Sequence, residues 1–564
     1  LRWLLALALA QWALCLEAEA QVPPDAGSIQ RQQQPPTLAP PPPPAPPVQV
    51  ESSPAPSLQG SSDVRFTLTG FHITGESVFA EQELLTLVQD LVGTSVGFAD
   101  LEQAAERVSR YYRKHGYVVA RAYLPEQELR DGVVQIAVLE GHIGRVIIEN
   151  HSRVRDSVIA ARVDGLQGRL VREEDINAKL RLVYDLTHTG PGPEATLNPG
   201  ANVGETDLVL QPPPGPLVSG SVALNNYGNP FTGANQLSGE LDFNSPAHLG
   251  DLLSLQGTEG LRGRLDEPGL GTYKVSYQVP ASASGLLLGA NYAHVHYRLG
   301  GDFEALDANG TADTWLAFAS HPLLVGRTYS VHAQLSYQES DLQDRIESPA
   351  TITDKTSRIG TLALTSEWQD AWAGGGANAA SVSYNLGRLH IESPEALAID
   401  AATAQTAGKF QTWNLNLTRL QQLSAHTALN IAFAGQKADK NLDSSQKLIL
   451  GGPYGIQDYP QGEAPGDSGY LVNAELRYDL TGQWIGGHTQ LLGLADTGRV
   501  NINQDPFAAG TNHRELSSAG AGLNWTNAHA LQLRLMVAHK VGDARATSDT
   551  DHDTRAWLQL LQRF

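Results

Sequence analysis

The chain has 564 residues, of which 55 are Gly, 32 are Pro and 18% are charged, and its formal net charge is -21. That acidity argues against nucleic acid as a partner, and a single cysteine, Cys15, leaves no disulfide framework and no cysteine metal site. A chain of this length has room for three or more domains, and its glycine-rich, charge-poor composition suits strands and turns better than helices.

Residues 1–20 read as a secretory leader. Arg2 supplies the positive region, Leu4 to Leu16 is apolar apart from Gln11, and Ala18-Glu19-Ala20 is a small-x-small site that predicts cleavage before Gln21. Leu14 is too large to precede a lipidated cysteine, which argues against a lipoprotein anchored through Cys15. The first residue is Leu, so an alternative start codon or a truncated record is expected.

Residues 21–62 form a linker around the run Pro40 to Pro44. Such a run forms neither helix nor sheet interior, and polyproline conformation predicts a semi-rigid tether of ~3.1 Å per residue. Ser28 to Gln34 predicts a short helix, too short to be stable alone.

Two small units of one pattern follow, at 63–141 and 142–214. In the first, Val64 to Ile73 predicts a strand, Glu81 to Val92 a helix, and Leu101, Ala104, Ala105, Val108, Tyr111 and Tyr112 recur along a second helix ending near Gly116. Strands follow at Val118 to Leu124 and Val133 to Glu140. The second unit has a strand at Val146 to Glu149, a helix face at Ile176, Leu180, Val183 and Tyr184, and strands near 195–197 and 207–210. A mixed sheet of this kind has edge strands with unpaired backbone groups, a template for an incoming extended chain.

Residues 215–564 alternate with a period of two. Val218, Val222 and Leu224 are apolar with Ser219 and Ser221 between them, and Tyr273, Val275, Tyr277 and Val279 repeat the pattern. Such alternation predicts an antiparallel β-barrel with one face to lipid and one to a wet lumen. On the same reading His294, His296 and Arg298 form a lumen-facing row, opposite Ala293, Val295, Tyr297 and Leu299. Seven of the nine Trp fall here, which suits interfacial girdles, and the terminal aromatic Phe564 fits an outer-membrane barrel. After the leader no stretch approaches the ~20 apolar residues of a spanning helix, so a membrane chain must close its hydrogen bonds as a barrel.

Enzyme signatures are absent from the sequence. It has no Gly-x-Ser-x-Gly elbow, no phosphate-binding glycine loop and no zinc helix motif. His294 and His296 find no third metal ligand nearby, and Asp302 and Glu304 read as solvated loop charges. No catalytic residue, cofactor or metal is expected.

Tyr111-Tyr-Arg-Lys-His-Gly-Tyr117, Ala122-Tyr-Leu-Pro-Glu-Gln127, Asp131-Gly-Val133 and Val138-Leu-Glu-Gly141 resemble the first POTRA domain of the ShlB/FhaC/HecB two-partner secretion transporters. Leu197-Asn-Pro-Gly200 with Gly204-Glu-Thr-Asp-Leu208 resembles the close of the second. Asn225-Asn-Tyr-Gly228 and Leu249-Gly-Asp-Leu252 resemble the barrel's start. Leu450-Gly-Gly-Pro-Tyr-Gly-Ile-Gln-Asp-Tyr-Pro-Gln-Gly-Glu463, Gly466-Asp467, Gly469 and Glu475-Leu-Arg-Tyr478 are similar to the long loop that this family folds into its own pore, and the strand after it.

The resemblance implies a sixteen-stranded outer-membrane barrel behind two periplasmic POTRA domains, with loop 450–470 folded inward. The tip residues are then Gly455, Ile456, Gln457, Asp458 and Tyr459, and the wall anchor is Asp496 in Leu494-Ala-Asp-Thr-Gly498. Gln457 stands where the family has Arg, so a charged fork is replaced by neutral hydrogen bonds. The implied function is export of one large unfolded exoprotein, of adhesin or haemolysin type with an N-terminal secretion domain, without nucleotide hydrolysis. Implied partners are that protein, outer-membrane lipid and lipopolysaccharide, and the barrel-assembly machinery. The alternatives are a barrel-assembly insertase of the BamA type, a passive porin and a surface enzyme.

Overall fold

The structure, a computed structural model, describes residues 23–34, 49–50, 65–129, 131–187, 192–261, 268–347 and 350–564. The leader with its expected cleavage site, and most of the Pro-rich segment, lie outside the described residues.

The first element is helix α1, Ala26–Gln32. Asp25 caps it: its carboxylate accepts from the Ser28 N–H at 2.9 Å, and its own N–H donates to Ser28 Oγ at 3.0 Å. A helix of seven residues is unstable alone in water, and the packing described below supplies what its length does not. The two-residue strand β1, Gln49–Val50, follows.

The first small unit contains β2 (Phe66–Thr67), β3 (Gly70–Thr74), helix α2 (Glu81–Leu85), β4 (Ser95–Val96), helix α3 (Phe98–Lys114), β5 (Arg121–Tyr123) and β6 (Val133–Leu139). β6 lies between a parallel β3 and an antiparallel β5. The apolar face of α3, with Leu101, Ala104, Val108 and Tyr112, is buried against Ile73, Val134 and Ile136. The helix expected over Glu81 to Val92 is shorter, and a 3-10 turn at Gln89–Leu91 takes up the remainder.

The second unit contains β7 (His142–Ile148), helices α4 (Asp156–Val163) and α5 (Glu173–Thr187), β8 (Glu194–Pro199) and β9 (Glu205–Gln211). Its four-stranded sheet has the order β1-β8-β9-β7, so the linker strand β1 completes it by pairing parallel with β8. The tether expected over 21–62 is therefore held at a defined point on the sheet.

The barrel strands are β10 (Val218–Asn225), β11 (Asn235–Asn244), β12 (Leu252–Leu261), β13 (Pro268–Pro280), β14 (Leu287–Arg298), β15 (Asn309–Val325), β16 (Tyr329–Glu347), β17 (Ala350–Asp370), β18 (Gly376–Ile391), β19 (Gly408–Ser424) and β20 (Thr427–Ala438). After the loop strands β21 (Leu448–Ile449) and β22 (Pro465–Gly466) come β23 (Ser468–Asp479), β24 (Gly487–Asn501), β25 (His513–Asn527), β26 (Leu531–Lys540) and β27 (Thr554–Arg563). Without β21 and β22, which pair with each other, these close a sixteen-stranded antiparallel barrel sealed by β10 against β27. No helix among the described residues is long and apolar enough to cross a membrane. Closure leaves no sheet edge exposed to lipid, which is what lets strands span a bilayer.

The outward row matches the alternation: Val222, Leu224, Tyr273, Val275 and Tyr277 are exposed. The lumen assignment of the histidines is reversed. Val295, Tyr297 and Leu299 are buried with Ile29 of α1, whereas His294 stacks on the outward Tyr273 at 4.9 Å and pairs with Asp313 at 2.8 Å. Period-two patterning separates two faces without saying which is wet, and a lumen holding an apolar helix takes the apolar face. Trp557 also departs from the girdle: it is 3% exposed and points inward.

Candidate functional site inside the barrel

Helix α1 and the loop between β20 and β23 meet inside the barrel. Gly27 packs against the start of the loop, where a Cβ would lie 2.6 Å from Ser444 Oγ and 2.9 Å from the Ser445 nitrogen. At the other end Gln461 donates to the Gln32 carbonyl at 2.8 Å. The wall holds the helix by polar contacts: Lys355 reaches Asp25 at 3.3 Å and Asp443 at 3.0 Å, Asp344 accepts from the Ala26 N–H at 2.7 Å, and Gln30 donates to Thr314 at 2.5 Å. Ala26 and Ile29 bury the small apolar face against Phe231, Leu270, Val295 and Tyr297. Such an element, held by few apolar atoms and many exchangeable polar ones, can leave without unmaking the barrel.

The loop is tightly turned by its glycines. A Cβ at Gly455 would collide with the Leu450 carbonyl, which already accepts from the Ile456 N–H at 2.7 Å. On the wall, Gly498 leaves space for the loop, since a Cβ there would lie 3.0 Å from Leu450 and 3.4 Å from Ile456. Leu450, Ile456 and Tyr459 are fully buried in one cluster with Leu471 and Val500.

The structure brings all five tip positions and Asp496 together. Asp496 accepts from Asn473 Nδ2 at 2.8 Å, from Ser518 Oγ at 2.9 Å and, at 3.4 Å, from the backbone N–H of Gln457. Asn473 also donates to the Gly455 carbonyl at 2.7 Å, linking tip to wall. The Gln457 side chain does not take the position of a charged fork: its Oε1 is buried without a hydrogen-bond partner among the described residues. The Gln457 carbonyl accepts from Trp557 Nε1 at 2.6 Å, and that of Asp458 from Arg555 at 3.4 Å.

The strongest charged anchor lies past the tip, at Glu463. This carboxylate is fully buried and accepts from Arg514 Nη2 at 2.8 Å, from the Thr547 N–H and hydroxyl at 2.9 Å each, and from the Ser548 N–H and hydroxyl at 2.8 and 2.6 Å. Tyr459 adds a bond from its hydroxyl to the Ala544 carbonyl at 2.9 Å. The loop after β26 thus closes over the inward-folded loop. Sequence reasoning reached Glu463 as the end of a motif and missed this role, because Thr547 and Ser548 carry no signal before the fold brings them near.

The sequence profile of the haemolysin secretion/activation proteins ShlB/FhaC/HecB matches residues 204–525, and the ShlB-type POTRA profile matches 66–141. The chain belongs to the ShlB/FhaC/HecB family. Its members are two-partner secretion transporters, β-barrels of the outer membrane whose POTRA domains lie in the periplasm. The heme/hemopexin transporter protein HuxB of Haemophilus influenzae (strain 86-028NP) is 25% identical over 96% of this chain and 95% of its own length. The outer membrane transporter CdiB of Escherichia coli O6:K15:H31 is 24% identical over 86% of this chain and 80% of its own. In three dimensions CdiB from Escherichia coli has a TM-score of 0.70 at 18% identity, covering 92% of this chain and 94% of that one. CdiB from Acinetobacter baumannii has a TM-score of 0.61 at 17% identity, covering 92% and 91%.

Proposed function

We propose that this family member exports one large unfolded exoprotein, of adhesin or haemolysin type with an N-terminal secretion domain, from periplasm to cell surface. The observation that carries the reading is a closed barrel whose lumen is filled by two pieces of its own chain: α1, held mainly by polar contacts that can be exchanged, and the loop, held by a buried apolar cluster and the Glu463 anchor. In this reading 63–141 and 142–214 are the receiving POTRA domains, and 215–564 is the pore, set in outer-membrane lipid and lipopolysaccharide by the barrel-assembly machinery. Gly455 to Tyr459 and Asp496 position the loop and catalyse nothing. Folding of the exported chain outside, worth about 5–15 kcal/mol for a domain, opposes its return and replaces nucleotide hydrolysis as the drive. Deleting the gene should remove one very large protein from the cell surface while other outer-membrane proteins keep their abundance, read by surface proteomics. A broad fall in outer-membrane proteins would favour an insertase instead.

A further inference from the structure

We propose that Arg358, Arg388 and Lys409, side by side on the outer wall of the barrel, bind a phosphate of lipid A, the phosphorylated head of lipopolysaccharide in the outer leaflet. This inference rests on the lipopolysaccharide part of the reading above, names the residues that meet it, and does not depend on export.

The three cations share one face of adjacent strands: Arg358 on β17 lies directly opposite Arg388 on β18, which lies opposite Lys409 on β19. All three are exposed. Strands run ~4.8 Å apart, so the row spans about 10 Å. Like charges directly opposite each other repel and cost stability unless an anion lies among them. Arg358 has Glu339 at 2.9 Å, whereas Arg388 and Lys409 have no ion pair among the described residues. The nearest carboxylates look elsewhere. Asp439 accepts from the Gln411 N–H at 2.8 Å, and Asp341 and Glu392 face the Thr356 hydroxyl at 3.0 and 2.8 Å, one row further out. A phosphate is thus favoured at Arg388 and Lys409 and repelled just beyond them.

The row sits at the height where headgroups begin. Below it on the same face come Leu386, then Leu362, Tyr384 and Trp413 across three strands, and Leu362, Leu386 and Trp413 are each more than half exposed. The Tyr384 and Trp413 rings are 4.6 Å apart, in the place of an interfacial girdle. The other end of β17 is periplasmic, because Glu367 lies 3.5 Å from Arg181 of the second POTRA domain. From Glu367 to Arg358, a tilted strand rising ~3.3 Å per residue covers about the ~25 Å height of an outer-membrane apolar band. A cation row one step past that band meets lipid heads. In the outer leaflet these carry phosphate, which a guanidinium fork grips by two oxygens at once. The row lies half-way round the ring from the β10–β27 seam, so a lipid held there steadies the wall farthest from it.

The test titrates the purified, delipidated full chain in detergent with bisphosphorylated lipid A and counts bound lipid by native mass spectrometry. Arg388→Gln/Lys409→Gln, heat-modifiable like the parent, should bind at least tenfold more weakly. The charge-keeping exchange Arg388→Lys/Lys409→Arg should bind like the parent, and so should Arg499→Gln, which removes an exposed cation paired with Glu515 at 3.9 Å. Dephosphorylated lipid A should bind the parent as weakly as bisphosphorylated lipid A binds the double Gln variant, and excess inorganic phosphate should leave the lipid in place. Equal affinity of the parent and the double Gln variant would overturn the site, as would an equal loss in Arg499→Gln, which would reduce it to general surface charge. Displacement by inorganic phosphate would replace the lipid by a free ion and overturn it too. A parent that binds no lipid A would remove the lipopolysaccharide reading along with the site, while export, scored by gene deletion, is touched by none of these results.

Discussion

At the residue scale, Gln457 and Glu463 divide the work of holding one loop. The family's tip arginine is missing, and Asp496 takes neutral donors, Asn473 and Ser518, in its place. Hydrogen bonds to a charged group are worth about 1.5–3 kcal/mol, and Glu463 accepts five of them, one from the cationic Arg514, against three neutral ones at Asp496, so the Glu463 cluster outweighs the tip. Arg514→Ala should raise the frequency of spontaneous channel opening in planar bilayers by about tenfold, since each ~1.4 kcal/mol is a factor of ten. In the same assay Gln457→Arg should lower it, and Asp496→Ala should cancel that gain. Identical traces for Gln457→Arg with and without Asp496 would rule out that pairing.

At the scale of elements, α1 depends on its neighbours for its existence. Gly27 fits against Ser444 and Ser445 with no room for a side chain, so Gly27→Leu should drive the helix from its seat while raising its intrinsic helix propensity. Open conductance should then become the resting state, with barrel heat-modifiability unchanged; a closed channel in this variant would place the barrier in the loop alone. The helix was legible in the sequence to within two residues, because Asp25, Ser28 and the following Gln residues have clear local preferences. Its location was not, since nothing in a capped polar heptapeptide distinguishes a tether from a pore filler. The same limit governs the barrel wall: alternation gave the strands at Tyr273 to Val279, yet His294 and His296 turned out to face away from the lumen because Ile29 claims the apolar side. The strand at Gln49–Val50 left no trace at all, for two backbone pairs need no particular side chains.

At the scale of the molecule, the second POTRA domain is joined to the barrel through its periplasmic turns. Arg162 donates to the Ala283 carbonyl at 3.2 Å, Arg181 lies 3.5 Å from Glu367, and the Arg155 N–H donates to the His248 carbonyl at 3.0 Å. All three are polar contacts to turns and strand ends, the kind of joint that allows domains to move relative to each other. The helix, the loop and the linker strand are thus attachments to the rigid pieces, the barrel and the two POTRA cores. Motif order along the sequence reveals the rigid pieces, because their hydrophobic periods are long; the attachments between them depend on long-range pairs such as Glu463 with Ser548, which no local pattern encodes.

The bond from Trp557 to the Gln457 carbonyl has a consequence for biogenesis. Trp557 lies on β27, the last strand made and the one that seals the wall against β10. The tip consequently lacks this partner until β27 is in place, whereas its contacts to Asn473 on β23 and Asp496 on β24 can form earlier. Full protection of the loop should then follow closure, and Trp557→Phe should lengthen the interval between them without slowing closure. Pulse-labelled cells probed in parallel for heat-modifiable mobility and for protease resistance at residues 450–470 would show it; a loop protected in a ring still open would contradict it. The indole thus ties the final seating of the tip to the strand that closes the wall.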